Sequence, residues 1–128
     1  PVTSVDVDAG RVLMTGSFTG MRATVRKGLA ALDPVTGRLL DWQATQDIDG
    51  VVGITSNGTT RLFLATLGIN SSRVDAIDVA TGTRPSTFQP RFGGCLSPAF
   101  ANNRLVCSTD GQLNVHDPES GAVTSMLT

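Results

Sequence analysis

The stretch LAALDPVTGRLLDW, from Leu29 to Trp42, decides the fold. It reads as an apolar strand, a tight turn written DPVTG, and a second apolar strand that ends in an aromatic residue. In such a turn the Asp carboxylate accepts backbone N–H groups, Pro fixes φ, and Gly supplies the left-handed conformation that closes the turn. The stretch therefore predicts a β-hairpin.

The same hairpin occurs twice more along the chain. It returns as VDAIDVATGTRPSTF (residues 74–88) and as LNVHDPESGAVTSM (residues 113–126). The turn aspartates are spaced 45 and 39 residues apart, and four-stranded propeller blades repeat at about 40–50 residues. The structural turn residues shared by the three copies are Asp33 and Gly37, Asp78 and Gly82, and Asp117 and Gly121.

Two further extended runs precede each hairpin. The nearer run reads RVLMTG, RLFLAT and RLVCST in the three copies, and the farther run reads VTSVDV, VVGITS and CLSPAF. Each copy thus offers four strands joined by short turn-forming segments. The sequence predicts an all-β fold: a β-propeller segment of three four-stranded antiparallel blades, at about residues 1–43, 50–89 and 94–128.

Three blades are incomplete as a closed ring, because propellers usually close with about four to eight. We expect the chain to be part of a larger propeller, completed by the remaining blades of a longer chain. Two alternatives stay open. Two copies of the chain could complete a six-bladed ring, or the sheets could form a different arrangement such as a prism or an open stack.

Composition narrows the classes of partner. The 128 residues suit a single domain, and ten basic against eleven acidic residues give almost no net charge. This balance does not favour nucleic acid or a membrane surface as a partner. No apolar run approaches the ~20 residues of a membrane-spanning helix.

The segment GSFTGMRATVRKGLAALDPVTGRLLDW resembles the repeats of bacterial, actinobacterial-type, secreted and surface β-propellers. It is also similar to the quinoprotein (PQQ-like) repeat A-x-D-x-x-T-G-x-x-x-W. Ala31, Asp33, Thr36 and Gly37 match that pattern, whereas Trp42 falls one position late.

The three repeats, the lack of a recognisable catalytic constellation and the variable loop before the first hairpin favour a non-catalytic scaffold or protein-interaction module. We expect it to lie outside the cell or on its surface and to carry no cofactor. The partner would be further blades, a second copy, or a protein or glycan. One alternative is a carbohydrate-binding or adhesin module. Another is a fragment of a quinoprotein-like dehydrogenase, since one fold hosts many functions.

The loop before the first hairpin is the candidate binding surface, because it is the longest of the three equivalent loops. It runs from Ser17 to Lys27, and the equivalent loop of the third copy shrinks to Asp110-Gly111. In a propeller such loops share one rim, where partners often bind. The candidate rim residues are Phe18, Met21, Arg22, Arg26 and Lys27.

Three residues are candidates for chemistry: Cys95, Cys107 and His116. Cys95 and Cys107 fall on neighbouring predicted strands and form either a disulfide or two buried thiols; two cysteines are too few for a structural zinc site. His116 is the only histidine, and the sequence identifies neither a nucleophile nor an orienting acid for it. We therefore expect no enzyme activity and no metal.

Overall fold

The computed structural model describes residues 2–8, 10–16, 18–21, 24–26, 28–44, 50–67, 72–90 and 94–127. Throughout these ranges the regular secondary structure consists of β-strands. They are β1 (Val2–Asp8), β2 (Arg11–Gly16), β3 (Gly20–Met21), β4 (Thr24–Val25), β5 (Leu29–Leu32), β6 (Val51–Ser56), β7 (Arg61–Leu67), β8 (Ser72–Asp78), β9 (Ser97–Ala101), β10 (Arg104–Thr109), β11 (Gln112–His116) and β12 (Val123–Leu127).

The strands form three antiparallel sheets and one small hairpin. Sheet I has the order β1-β2-β5, sheet II has β6-β7-β8, and sheet III has β9-β10-β11-β12, while β3 pairs with β4. Strand β6 lies against β1 on one side and β9 on the other, so the sheets are stacked in the order I, II, III. The prediction of an all-β fold is confirmed.

The prediction of a propeller segment with three four-stranded blades is wrong. The sheets contain three, three and four strands. The fourth strand was expected directly after each turn, at residues 38–42, 83–88 and 122–126. Only the third copy has one, where Val123–Leu127 pairs with β11.

The missing strands have a physical cause, because the chain leaves its sheet after the first two turns. After the first turn, Leu39 forms a single bridge to Leu32 and the Leu40 N–H donates to the Ala31 carbonyl. The chain then crosses to sheet II, where the Trp42 indole N–H donates to a backbone carbonyl. The apolar residues that predicted a fourth strand are therefore buried against the neighbouring sheet.

Each sheet has two faces, which we call front and back. The front carries Met14 in sheet I, Leu64 in sheet II and Cys107 in sheet III, and the back is the opposite face. Cross-strand partners share a face, so the pairing register assigns the other residues. The back of sheet I packs on the front of sheet II, and the back of sheet II packs on the front of sheet III.

Two apolar cores fill these two contacts. The first joins sheets I and II, with Trp42 packed beside it, and consists of Leu13, Leu29, Ala31, Val51, Ile54, Leu62, Leu64 and Ile77. The second joins sheets II and III and consists of Phe63, Ala65, Val74, Ala76, Phe88, Cys95, Leu105 and Cys107. Burial of these side chains is the main force that holds the sheets together, at about 25 cal/mol per Å² of apolar surface.

The two cysteines form a disulfide inside the second core. Cys95 and Cys107 are fully buried, with Cα atoms 5.0 Å apart. Cys95 lies two residues before β9 rather than in the strand, and the following Leu96 N–H donates to the Ser108 carbonyl at 2.8 Å. The bond therefore ties the entry into sheet III to its middle strand β10.

Candidate functional site

The three D-x-x-x-G turns share one backbone hydrogen-bonding scheme. In each, the Gly N–H donates to the Asp carbonyl, and the Asp N–H donates to the carbonyl five residues later, at 2.8–2.9 Å. The glycines at these positions have φ near +70°, which favours Gly over residues with a side chain. The turns are the first turn (Asp33–Gly37), the second turn (Asp78–Gly82) and the third turn (Asp117–Gly121).

Side-chain bonds cap two of these turns. Asp117 Oδ1 accepts the N–H groups of Ser120 and Glu119, both at 2.9 Å. The backbone N–H of Ser120, together with that of Glu119, holds the pKa of Asp117 below its ordinary value. Asp33 Oδ1 accepts the N–H of Thr36 in the same way, and this bond lowers the pKa of Asp33.

Asp117→Ala is expected to lower the melting temperature at neutral pH, because two N–H groups lose their acceptor. The pKa of Asp117 is lower in the folded chain than its ordinary 3.8. The carboxylate therefore stabilises the fold above that pH, and this contribution is lost as pH falls through the folded pKa. Thermal unfolding followed by circular dichroism across a pH series should show the gap to the parent narrowing in acid.

The control for this experiment is Asp41→Ala, which removes an exposed aspartate outside the turns. It should leave the melting temperature unchanged at every pH. A gap between Asp117→Ala and the parent that stays constant from neutral to acid pH would contradict the account.

The second and third turns are each covered by the segment that crosses from the preceding sheet. Trp42 Nε1 donates to the Val79 carbonyl in the second turn at 2.7 Å. The Gln89 N–H donates to the Ser120 carbonyl in the third turn at 2.8 Å. A Cβ at Gly121 would lie 2.9 Å from the nitrogen of Pro90, so the approach is close.

The first turn has no such cover among the described residues. A Cβ at Gly37 would meet nothing within 4 Å. Pro34 and Thr36 are exposed, and Val35 is 91% exposed. The surface that the other two turns bury against a neighbour is therefore open here.

An arginine begins the middle strand of every sheet and lies on its back face. In sheet II this residue is Arg61, which is only 8% exposed. Its Nη1 donates to the Pro118 carbonyl of the third turn at 2.9 Å, and its Nε donates to Asp78 at 3.2 Å. Arg61 thus joins the back of sheet II to the turn of sheet III.

The arginine of sheet I reaches the next turn through an aromatic ring. The Arg11 guanidinium carbon lies 5.4 Å from the centre of the Trp42 ring, within cation–π distance. The same indole bonds to Val79 of the second turn. In sheet III the equivalent residue is Arg104, which is exposed and donates to the adjacent Asn103 carbonyl at 2.9 Å.

Stacking three sheets leaves the β1 and β2 part of the front of sheet I open, whereas Ala30 of β5 on the same face is fully buried. Val5 pairs with Met14, and Val7 pairs with Val12, so the four side chains share this face. Val5 is 56% exposed and Val7 is 64% exposed, while Val12 and Met14 are half-buried. Together they form a contiguous aliphatic patch, which we call the front patch.

The back of sheet III is open as well. Val106 pairs with Val115 and Ser108 pairs with Leu113, which in turn pairs with Leu127. Leu113 and Leu127 are exposed and the two valines are half-buried. We call the aliphatic residues of this face the back patch: Val106, Leu113, Val115 and Leu127.

The structure describes three of the five predicted rim residues. Phe18 is half-buried, and Met21 lies in β3. Arg26 is buried, because Nη1 donates to Gln43 Oε1 at 3.2 Å and Nη2 donates to the Leu40 carbonyl at 3.0 Å. Arg22 and Lys27 lie outside the described residues.

Sequence reasoning missed the front patch and the role of the leading arginines. A signal for the arginines was present, because Arg begins RVLMTG, RLFLAT and RLVCST alike. The alternation of Val5 and Val7 was also visible. Which apolar face stays open depends on the stacking order, and the sequence does not contain that order.

Two polar side chains are buried on the front of sheet III. Asn114 and His116 are both inaccessible to solvent. His116 Nδ1 lies 2.9 Å from the Gly121 carbonyl, so this nitrogen carries the proton and donates it. Within the part of the chain that the structure describes, His116 Nε2 and both polar atoms of the Asn114 side chain have no hydrogen-bond partner. His116 is therefore part of the packing against the third turn.

Asn114→Ala is expected to stabilise the chain by about 1 kcal/mol, because removing a buried amide that no described residue pairs outweighs the packing lost with the side chain. Ala30 occupies the equivalent position in sheet I, so an alanine is compatible with this face. Urea unfolding gives the change in free energy. The matched control is Asn103→Ala, since Asn103 is exposed but its φ of 56° favours Asn, and this change should destabilise slightly. A destabilised Asn114→Ala variant would contradict the account.

The described residues contain no helix able to span a membrane. Nor do they contain a group of three or more His, Cys, Asp or Glu side chains placed to hold a metal ion.

Comparison with known proteins identifies a fold and no family. No family model matches the chain, and no curated protein sequence does. Among solved structures, the chain is similar to the crystal structure of the computationally designed Ika4 protein, with a TM-score of 0.68 and 16% sequence identity. The match covers 98% of this chain and 71% of that one. At this identity the similarity concerns the fold alone, and the resemblance to bacterial surface repeats stays a prediction.

Proposed function

We propose that this chain is a non-catalytic protein-interaction module that binds its partner through the front patch. The observation that carries the proposal is the exposure of Val5 and Val7 beside Val12 and Met14 on one open sheet face. Aliphatic side chains supply no acid, base or nucleophile. They gain free energy when a partner removes them from water, and contiguous exposed apolar patches mark interaction sites.

The shape of the patch favours a protein partner over a small molecule. Small-molecule sites are concave and bury most of the ligand, whereas the front patch is the face of a three-stranded sheet. The same kind of face is already buried twice inside the chain, at the contacts between sheets. Full burial of a Val or Met side chain contributes about 1.5–3 kcal/mol, so a few residues could support specific binding.

The proposed location is outside the cell or on its surface. The disulfide between Cys95 and Cys107 supports this, because such bonds persist in oxidising compartments and are rare in the cytosol. The bond lies in the core between sheets II and III, whereas the front patch lies on sheet I.

A photo-crosslinking amino acid placed at position 7 tests the proposal. In the native host, it should give covalent adducts with protein, identified by mass spectrometry. The matched control carries the same group at exposed Thr59, in the turn between β6 and β7, and should give none. Adding Val5→Asp to the position-7 variant should abolish the adducts, since a charge disfavours apolar contact. Equal adducts at positions 7 and 59, or none at position 7, would overturn the proposal.

A further inference from the structure

We infer that the partner of the front patch is the back patch of a second copy of this chain, with Arg104 of that copy bonded to the first turn. The inference rests on the proposed function, because it names the partner of the same surface. It joins three observations: the stacking order of the sheets, the apolar character of both open faces, and the series of leading arginines.

The stacking order makes the two open faces complementary. Inside the chain, a back face meets a front face at both contacts, first between sheets I and II and then between sheets II and III. The front of sheet I and the back of sheet III are the two halves of this contact that have no partner within the described chain. Placing one against the other, between two copies, continues the internal interface without a new kind of contact.

Both open faces are apolar, as expected of surfaces that are buried against one another. The front patch contributes Val5, Val7, Val12 and Met14. The back patch contributes Val106, Val115, Leu113 and Leu127, and Leu127 is 59% exposed. Aliphatic residues on both sides allow close packing and leave no buried charge in the middle of the contact.

The arginine series identifies a specific polar contact at the edge of this interface. Arg61 lies on the back of sheet II and donates to the carbonyl of Pro118, the second residue of the third turn. Arg104 holds the equivalent position on sheet III and is exposed, with a bond to its neighbour Asn103. The equivalent acceptor is the Pro34 carbonyl in the uncovered first turn. When a back patch covers a front patch, Arg104 of one copy is placed to donate to Pro34 of the other.

This contact joins different surfaces of the two copies, so it is head-to-tail. Such heterologous interfaces either close into a ring or continue as an open chain of copies. The two surfaces can therefore be inactivated separately, which an interface between identical patches does not allow.

The test uses two variants of the full chain that each lose one surface. The front variant is Val5→Asp/Val7→Asp, and the back variant is Arg104→Ala/Leu113→Asp. All substituted residues are exposed, so circular dichroism and melting temperature should match the parent. Sedimentation velocity over a dilution series should show that the parent associates and that each variant alone is a monomer. An equimolar mixture should form a complex of two chains, because one intact front patch and one intact back patch remain.

Arg104→Ala alone should weaken association of the parent by about tenfold, because it removes a charge-assisted hydrogen bond at the edge of the contact. The control Arg73→Ala removes an exposed arginine of β8 and should change nothing. Three results would overturn the inference: a parent that is monomeric at every concentration, a mixture of variants that stays monomeric, or a back variant that still associates by itself. Adducts from position 7 to another protein, with a monomeric parent, would overturn this inference and keep the proposed function.

Discussion

The rest of the structure depends on one kind of contact: the segment that leaves sheet I or sheet II covers the turn of the following sheet. After the first and second turns the chain leaves its own sheet and crosses to the neighbouring one, where Trp42 bonds to Val79 and Gln89 bonds to Ser120. Because the chain crosses over, the first two sheets have no fourth strand. The crossing segment buries the turn of the next sheet, adds aromatic surface to the core between the sheets, and places a back-face arginine close to the next turn. Face-to-face burial of aliphatic side chains supplies most of the free energy, while these edge contacts fix how one sheet is placed on the next.

A stack built in this way has two different ends. At one end, no described residue covers the first turn or the β1 and β2 part of the front of sheet I in the way that their equivalents are covered. At the other end, β12 stays in sheet III, and Arg104 remains exposed on the back face. A chain that exposes both halves of its own internal contact can bind another copy with the physical chemistry that already holds its sheets together. The proposed function and the proposed partner both rest on these two open faces of the described chain.

The sequence predicted what is determined locally. Asp33 and Gly37 form the expected turn because Asp caps N–H groups two and three residues away and Gly adopts positive φ, and both effects act within five residues. The apolar runs at β2, β7 and β10 were recognised as strands for the same reason. The prediction of a fourth strand was wrong because the sequence around Trp42 is compatible with packing on its own sheet or on the next. In the structure Trp42 bonds to Val79 of the next turn, 37 residues away. The burial of Arg26 likewise depends on a contact with Gln43, which the sequence of the loop alone does not predict.

The most direct measurement of the central claim is a site-specific disulfide between two copies. Val35→Cys places a thiol on the uncovered first turn, and Arg104→Cys places one at the free end of the arginine series. The head-to-tail account predicts that an oxidised mixture of these two variants gives a cross-linked heterodimer faster than either variant links to itself. The exposed control pair Thr59→Cys with Arg104→Cys should show no such preference. Cross-linking of Val35→Cys to itself at the same rate as in the mixture would contradict the account.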